Sequence, residues 1–217
     1  MTVKCDERLN AVLAELEVGD RVADIGCDHG KIAVSAVEIT KNGVIAADIS
    51  AQSLMKAKRL AEASGLENKM TFVECDGLKP LARFDIDTVI IAGLGGLETV
   101  KILSEAEKRY RKYVLVPHQH ASAVRDYLSG NGYGVYKDYI VECGKKFYPV
   151  IVASGSPSES VEYSQFGRLF GIEANAAQKK YITHRQKVLK ALSGKARGER
   201  KAEILGELEI IEESLKR

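Results

Sequence analysis

The spacing of apolar positions changes repeatedly along the first three quarters of the chain. Leu9, Val12, Leu13 and Leu16 recur at i, i+3, i+4 and i+7, which predicts an amphipathic helix over residues 6–17, ended by Gly19-Asp20. A continuous apolar run at 22–27 then reads as a buried strand, and 30–40 as a helix. Asn42-Gly43 is a turn, and 44–49 a second strand. Ser50 is placed to cap a helix reaching Ser64, with Gly65 beyond its end. Strands follow at 70–75 and 88–92, a helix at 97–108, a strand at 113–116 stopped by Pro117, and a helix at 121–130 closed by Gly130-Asn131-Gly132. Two longer runs, 133–142 and 146–153, are separated only by Cys143-Gly144-Lys145 and predict an antiparallel hairpin.

Buried strands alternating with helices predict an α/β fold with a parallel sheet covered on both faces. The expectation is a Rossmann-like doubly wound sheet, extended by the terminal antiparallel hairpin. Ser154-Gly155-Ser156-Pro157-Ser158 has the composition of a linker, and the period changes beyond it. Ala177, Tyr181, Val188 and Leu192 keep helical spacing, as do Ile204, Leu208, Ile211 and Leu215, with turn formers at 193–198 between them. The chain therefore divides into 1–155, the sheet, and 156–217, a helical hairpin.

Composition narrows the setting. With 217 residues, 45% of them hydrophobic, there is material for one full domain and an appendage. The charged start, MTVKCDERLN, is unlike a secretory signal, and no apolar run approaches the roughly 20 residues that span a bilayer. Cys5, Cys27, Cys75 and Cys143 lie far apart with no C-x-x-C pair, which argues against a disulfide framework or zinc knuckle. The expectation is a cytoplasmic monomer with no membrane or metal partner. The net charge of +2 says little, but its distribution is uneven: from 178 to 201 Lys and Arg face a single acid, Glu199.

The stretch ADIGCDHGKIAV, residues 23–34, carries the chemistry. Gly26 and Gly30 bracket a strand-to-helix turn, but a dinucleotide fingerprint wants a further glycine between them, and Asp28 stands there instead. A carboxylate in that turn repels a pyrophosphate and favours a cationic ligand. S-adenosylmethionine fits, with its ammonium and sulfonium, ribose hydroxyls and adenine. Asp48, at the second strand's end, can accept from both ribose hydroxyls. Asp76, at the third, can accept from the adenine amino group, while Gly77 admits backbone to the ring. A lone G-x-x-x-G turn is weak evidence; acidic ends on three successive strands are stronger. NAD is the competing ligand, disfavoured by the missing glycine.

RVADIGCDHGKIAV, CDGL at 75–78, AGLGG at 92–96 and KKFYPVIVASG at 145–155 together resemble the bacterial TrmK family of S-adenosylmethionine-dependent tRNA (adenine-22-N1)-methyltransferases. The resemblance spans the whole chain and implies a class I methyltransferase fold acting on N1 of an adenine in the D-arm region of tRNA. It implies a cofactor loop of Asp24, Gly26, Cys27, Asp28, His29 and Gly30, with Asp48 and Ile49 at the ribose. Asp76 and Gly77 fall near the adenine, and Gly93 opens the loop after the fourth strand. The fifth strand's end, VPHQH at 116–120, departs from the Gln-Pro-Asn of the family, where substrate choice is at stake.

N1 of adenine has its own lone pair and needs no strong general base, so positioning carries most of the catalysis. The methylated ring is cationic, and Asp28 is the candidate carboxylate to stabilise it. Gly95 and Gly96 would let backbone approach the base, with His118 and Tyr148 against it. Lys187 and Lys190 would read phosphates on a basic helix face. The alternatives are methylation of another RNA or a small molecule, and a non-catalytic RNA-binding module.

Overall fold

The computed structural model describes residues 3–156 and 162–215; Pro157 and Ser158 of the expected linker lie outside them. The elements run α1 (Glu7–Leu13), β1 (Val22–Ile25), α2 (Lys31–Thr40), β2 (Val44–Asp48), α3 (Ala51–Ala63), β3 (Met70–Glu74), β4 (Thr88–Ala92), α4 (Gly96–Ser104) and β5 (Lys112–Val116). They continue with α5 (Ala121–Gly130), β6 (Gly134–Cys143), β7 (Lys146–Ser154), α6 (Gln165–Phe170), α7 (Ala176–Ser193) and α8 (Gly198–Ser214).

All seven strands form one sheet in the order β3-β2-β1-β4-β5-β7-β6. The first five are parallel, and β7 runs antiparallel to both β5 and β6. The chain steps outward from β1 to β3, then returns to the other side of β1 for β4. That reversal opens a crevice at the carboxyl ends of β1 and β4, where doubly wound sheets bind ligands. Alternation along the strands feeds two cores. Ile90, Val114 and Val116 pack under α1, α2 and α3, while Val89, Ile91 and Leu115 pack under α4 and α5.

Two helices end sooner than their periodicity predicts. The expected 6–17 helix stops at Leu13 because a buried ion pair claims the next turn. Lys112 Nζ lies 2.8 Å from Asp20 and donates to the Glu15 carbonyl at 2.9 Å, and Glu17 N–H donates to Asp20 at 3.0 Å. The expected 97–108 helix ends at Ser104, whose hydroxyl donates back to the Lys101 carbonyl.

The tail holds the expected pair of long helices, preceded by a short α6 that the periodicity does not announce. The fully buried residues of α7 are Gln178, Ile182 and Leu189. Of the expected stripe, Tyr181 packs on the tail core beside Phe170, Ala177 and Val188 are half-buried, and Leu192 is exposed. The most buried line of α7 is displaced toward Gln178, Ile182 and Leu189 because the helix packs against β6 as well as α8. Gln178 donates to the Phe170 and Gly171 carbonyls, and Asn175 to that of Ile140. On α8, Ile204, Leu208 and Ile211 are buried as expected, and Leu215, past the helix end, is exposed.

Asp138 of β6 joins tail to sheet. It accepts from Arg125 at 2.6 and 2.8 Å and from the Tyr163 hydroxyl at 2.8 Å, and its carbonyl accepts from Ile172 and Glu173 N–H. Both partners of the ion pair are almost wholly buried. Asp138→Ala should therefore leave a guanidinium unpaired in the interior, at a cost of about 3–5 kcal/mol. Urea unfolding should show a midpoint lowered accordingly, and a midpoint within error of the parent would refute this role for the pair.

Candidate functional site

A cavity of about 650 Å³ occupies the crevice at the carboxyl ends of β1, β2, β3 and β4. Its floor is the turn from β1 into α2. Gly26 and Cys27 N–H both donate to the Ala47 carbonyl, and Gly30 N–H closes the turn on the Cys27 carbonyl. Gly26, Asp28 and Gly30 all have positive φ, at 68°, 46° and 71°. Asp tolerates that conformation better than most residues. At Gly30 glycine is also demanded by packing, since a Cβ would lie 2.6 Å from that of Ala57 on α3.

Asp48 ties this turn to the next. One carboxylate oxygen accepts from Asp28 N–H at 3.0 Å and the other from Ser50 N–H at 2.9 Å, at the start of α3. Each oxygen keeps a lone pair for a ligand. Ile49 follows on the cavity wall with 69% of its surface exposed, an apolar platform beside a carboxylate. Asp76 and Gly77 close the far side, and Asp76 stands 3.9 Å from Lys101.

Asp24 differs from these. It is 1% exposed, it lines the cavity, and its Oδ2 has no partner among the described residues. Burial pushes its pKa up to about 7, with Asp48 adding to the rise and the Ala33 N–H only partly opposing it. A buried carboxylate of this kind calls for a cation from the cavity.

The opposite wall comes from distant parts of the chain. Arg8 of α1 donates to His118 Nε2 at 3.2 Å and lies 5.4 Å from the Tyr148 ring centre. His118 and Tyr148 are 5.5 Å apart, centre to centre. Arginine only donates, so Nε2 is the acceptor and Nδ1 carries the proton. Burial, then Arg8 and Lys146, hold the His118 pKa below its ordinary value, which favours the neutral ring. Gly93, with φ of 104°, passes beneath this cluster.

A family model described as a methyltransferase domain matches residues 5–151. The tRNA (adenine(22)-N(1))-methyltransferase of Bacillus subtilis is 31% identical over 162 residues, covering 73% of this chain and 68% of that protein. The chain belongs to the TrmK family. The solved structure of B. subtilis TrmK superposes with a TM-score of 0.79 at 27% identity, covering 97% of this chain and 98% of that one. M. capricolum TrmK, solved with S-adenosyl-homocysteine, shares the fold with a TM-score of 0.87 at 20% identity, over 98% of both chains.

Of the residues expected from sequence, this TrmK-family fold brings Asp24, Gly26, Cys27, Asp28, His29, Asp48, Ile49, Asp76, Gly77, Gly93 and His118 to one cavity. Gly30 shapes the turn without lining it, and Tyr148 reaches the site through His118. Gly95 and Gly96 do not line the cavity. Gly96 N–H donates to the Gln119 carbonyl, and a Cβ there would lie 2.2 Å from the His120 carbonyl oxygen. That glycine serves to press two loops together, not to admit a base. Lys187 and Lys190 sit on the exposed face of α7, outside the cavity. The basic face is partly neutralised: Lys190 lies 3.8 Å from Glu212, and Lys180 lies 2.6 Å from Glu142.

Sequence reasoning does not reach Asp6, Arg8 and Leu9, the α1 contribution to the cavity wall. Arg8 and His118 are 110 positions apart, and no local pattern links them. Among the described residues no His, Cys, Asp and Glu cluster is arranged to hold a metal, and no helix is long and apolar enough to cross a membrane.

Asp24 yields a direct check. Between the ordinary carboxylate value and about 7, the folded protein holds a proton that the unfolded chain has released, so stability falls as pH rises through that window. Asp24→Asn removes this loss. In ligand-free protein its melting temperature should exceed the parent's by at least ~2–4 °C at about pH 8, roughly the shift for 1 kcal/mol in a chain of this size. The gap should close at about pH 4. Equal gaps at both pH values would contradict the assigned burial cost.

Proposed function

We infer that this chain transfers a methyl group from S-adenosylmethionine to N1 of an adenine in tRNA. The observation that carries the reading is the coincidence of two things: a relative of that activity matched over most of both chains, and a cavity at the sheet's reversal point with a buried carboxylate, Asp24, whose Oδ2 has no partner among the described residues. The residues fit the cofactor. Asp24 would take its ammonium, Asp48 its ribose hydroxyls, Ile49 a face of the adenine, and Asp76 with Gly77 the adenine edge. Bound there, S-adenosylmethionine supplies a methyl group activated by a cationic sulfur.

The chain's remaining task is to position the base and tolerate its charge. Adenine N1 lies on the Watson–Crick edge, so a paired target must first leave its helix. His118, held by Arg8, and Tyr148 frame the side from which it enters. A neutral His118 adds no positive charge beside a ring that becomes cationic. Asp28, on the cavity wall with its side chain 67% exposed and 3.6 Å from His29 Nε2, is the carboxylate placed to face that ring. In this reading 1–155 holds the cofactor and 156–217 docks the RNA, through Lys179, Lys187, Lys190, Lys195 and Arg197 on its exposed surface. The D-arm adenine of the resemblance is the proposed target. The VPHQH departure leaves another RNA adenine as the second reading, because His118 itself belongs to that stretch.

Incubation with S-adenosylmethionine and unmodified tRNA, digestion to nucleosides and mass spectrometry should reveal 1-methyladenosine. A different methylated nucleoside, or none, would overturn the inference. Asp28→Asn should lower kcat tenfold or more, about 1.4 kcal/mol of transition-state stabilisation, while S-adenosylmethionine affinity stays near the parent's. An unchanged kcat would remove Asp28 from the chemistry.

A further inference from the structure

A second cavity, of about 350 Å³, lies between the β6–β7 turn and α7. It is lined by His118, Lys145, Lys146, Phe147, Tyr148, Tyr181 and His184, so His118 is a wall common to both cavities. Strand register explains the adjacency. β5 pairs with β7 as Leu115 with Ile151, and β7 runs antiparallel, so residues 146–148 project past Val116 at the carboxyl edge that carries the acidic strand ends. The hairpin tip is thereby set beside the first cavity, and α7 closes the new one from outside.

Its chemistry is cationic and aromatic. Lys145 and Lys146 are exposed and make no ion pair among the described residues. Of the nearby carboxylates, Glu142 is engaged by Lys180. Phe147 packs 5.5 Å from Tyr181 and 6.0 Å from His184, centre to centre, each inclined by 38°. His184 is exposed and offers a planar outer surface on that row. Paired lysines suit a phosphate, and rings suit an unstacked base, whose stacking is tolerant of base identity. The volume is near the lower end of ligand pockets, about 300–1,000 Å³, which suits one nucleotide.

We propose that this cavity is a subsite for the tRNA nucleotide adjoining the methylated adenine, its phosphate on Lys145 and Lys146 and its base on His184 and Phe147. The proposal rests on the tRNA reading above. Taking up the neighbour would hold the strand open while the target base occupies the first cavity, with His118 between the two.

The test uses the full chain and tRNA in which the nucleotide on one or the other side of the target adenine is abasic. The parent should bind one of the two abasic tRNAs at least fivefold more weakly than intact tRNA. His184→Ala should bind intact tRNA weakly to a similar degree and show little additional loss with that abasic tRNA. Lys145→Ala with Lys146→Ala should flatten the dependence of log affinity on log salt by about 0.7–0.9 for each phosphate no longer neutralised. S-adenosylmethionine affinity should match the parent's in every variant. Losses that add independently, or none with either abasic tRNA, overturn the subsite while the parent still forms 1-methyladenosine. A parent that forms none overturns the reading beneath it.

Discussion

Asp24 is a carboxylate that the fold buries and does not neutralise. It sits at the end of a fully buried strand, one step from the reversal of the sheet, with Asp48 adding negative potential from the next strand. Burying such a charge with one oxygen unsatisfied among the described residues is expensive, and the group responds by holding its proton toward neutral pH. The remainder of the site answers that constraint. The glycine-rich turn leaves space beside the carboxylate. Asp48 is fixed by two backbone N–H groups, so it cannot turn away from the neighbouring charge. A cation entering the cavity meets a site whose cost has already been met by folding, and its binding recovers that cost.

A second buried charge plays a different part. Asp138 is fully matched by Arg125 and Tyr163, and through it β6, α5 and the start of the tail are drawn to one point. That fixes where α7 runs, and α7 in turn supplies Tyr181 and His184 opposite the hairpin tip. One buried carboxylate is left open toward a ligand; the other is closed to hold the frame on which an RNA can be set. The two cavities share an edge because the antiparallel hairpin carries β7 past the end of β5.

Much of this is legible in the sequence. The 88–92 strand and the 121–130 helix match their structural counterparts, because clear apolar runs there end at strong breakers. The acidic strand ends are readable for the same reason: in a doubly wound sheet, position along a strand gives position at the mouth. What fails is set by tertiary partners. Lys112, nearly a hundred positions away, takes the Glu15 carbonyl and shortens α1. β6 displaces the most buried line of α7 from the stripe its spacing suggests. The glycine pair at 95–96 suggests an approach for a base, yet Gly96 is glycine because the His120 carbonyl leaves no room. Arg8 carries no signal at all, since its role exists only once α1 lies across the crevice.

Calorimetric titration of S-adenosylmethionine into the parent and Asp24→Asn, from about pH 8 to about pH 5, tests the role of Asp24 most directly. The ligand's ammonium stays charged over the acid half of that range, so a change there belongs to the protein. Parent affinity should fall as pH drops below about 7, approaching tenfold per unit, as the proton displaces the charge that the ligand needs. Asp24→Asn should bind weakly throughout and without that slope. A parent affinity that does not change with pH, or a variant with the parent's slope, would contradict the account.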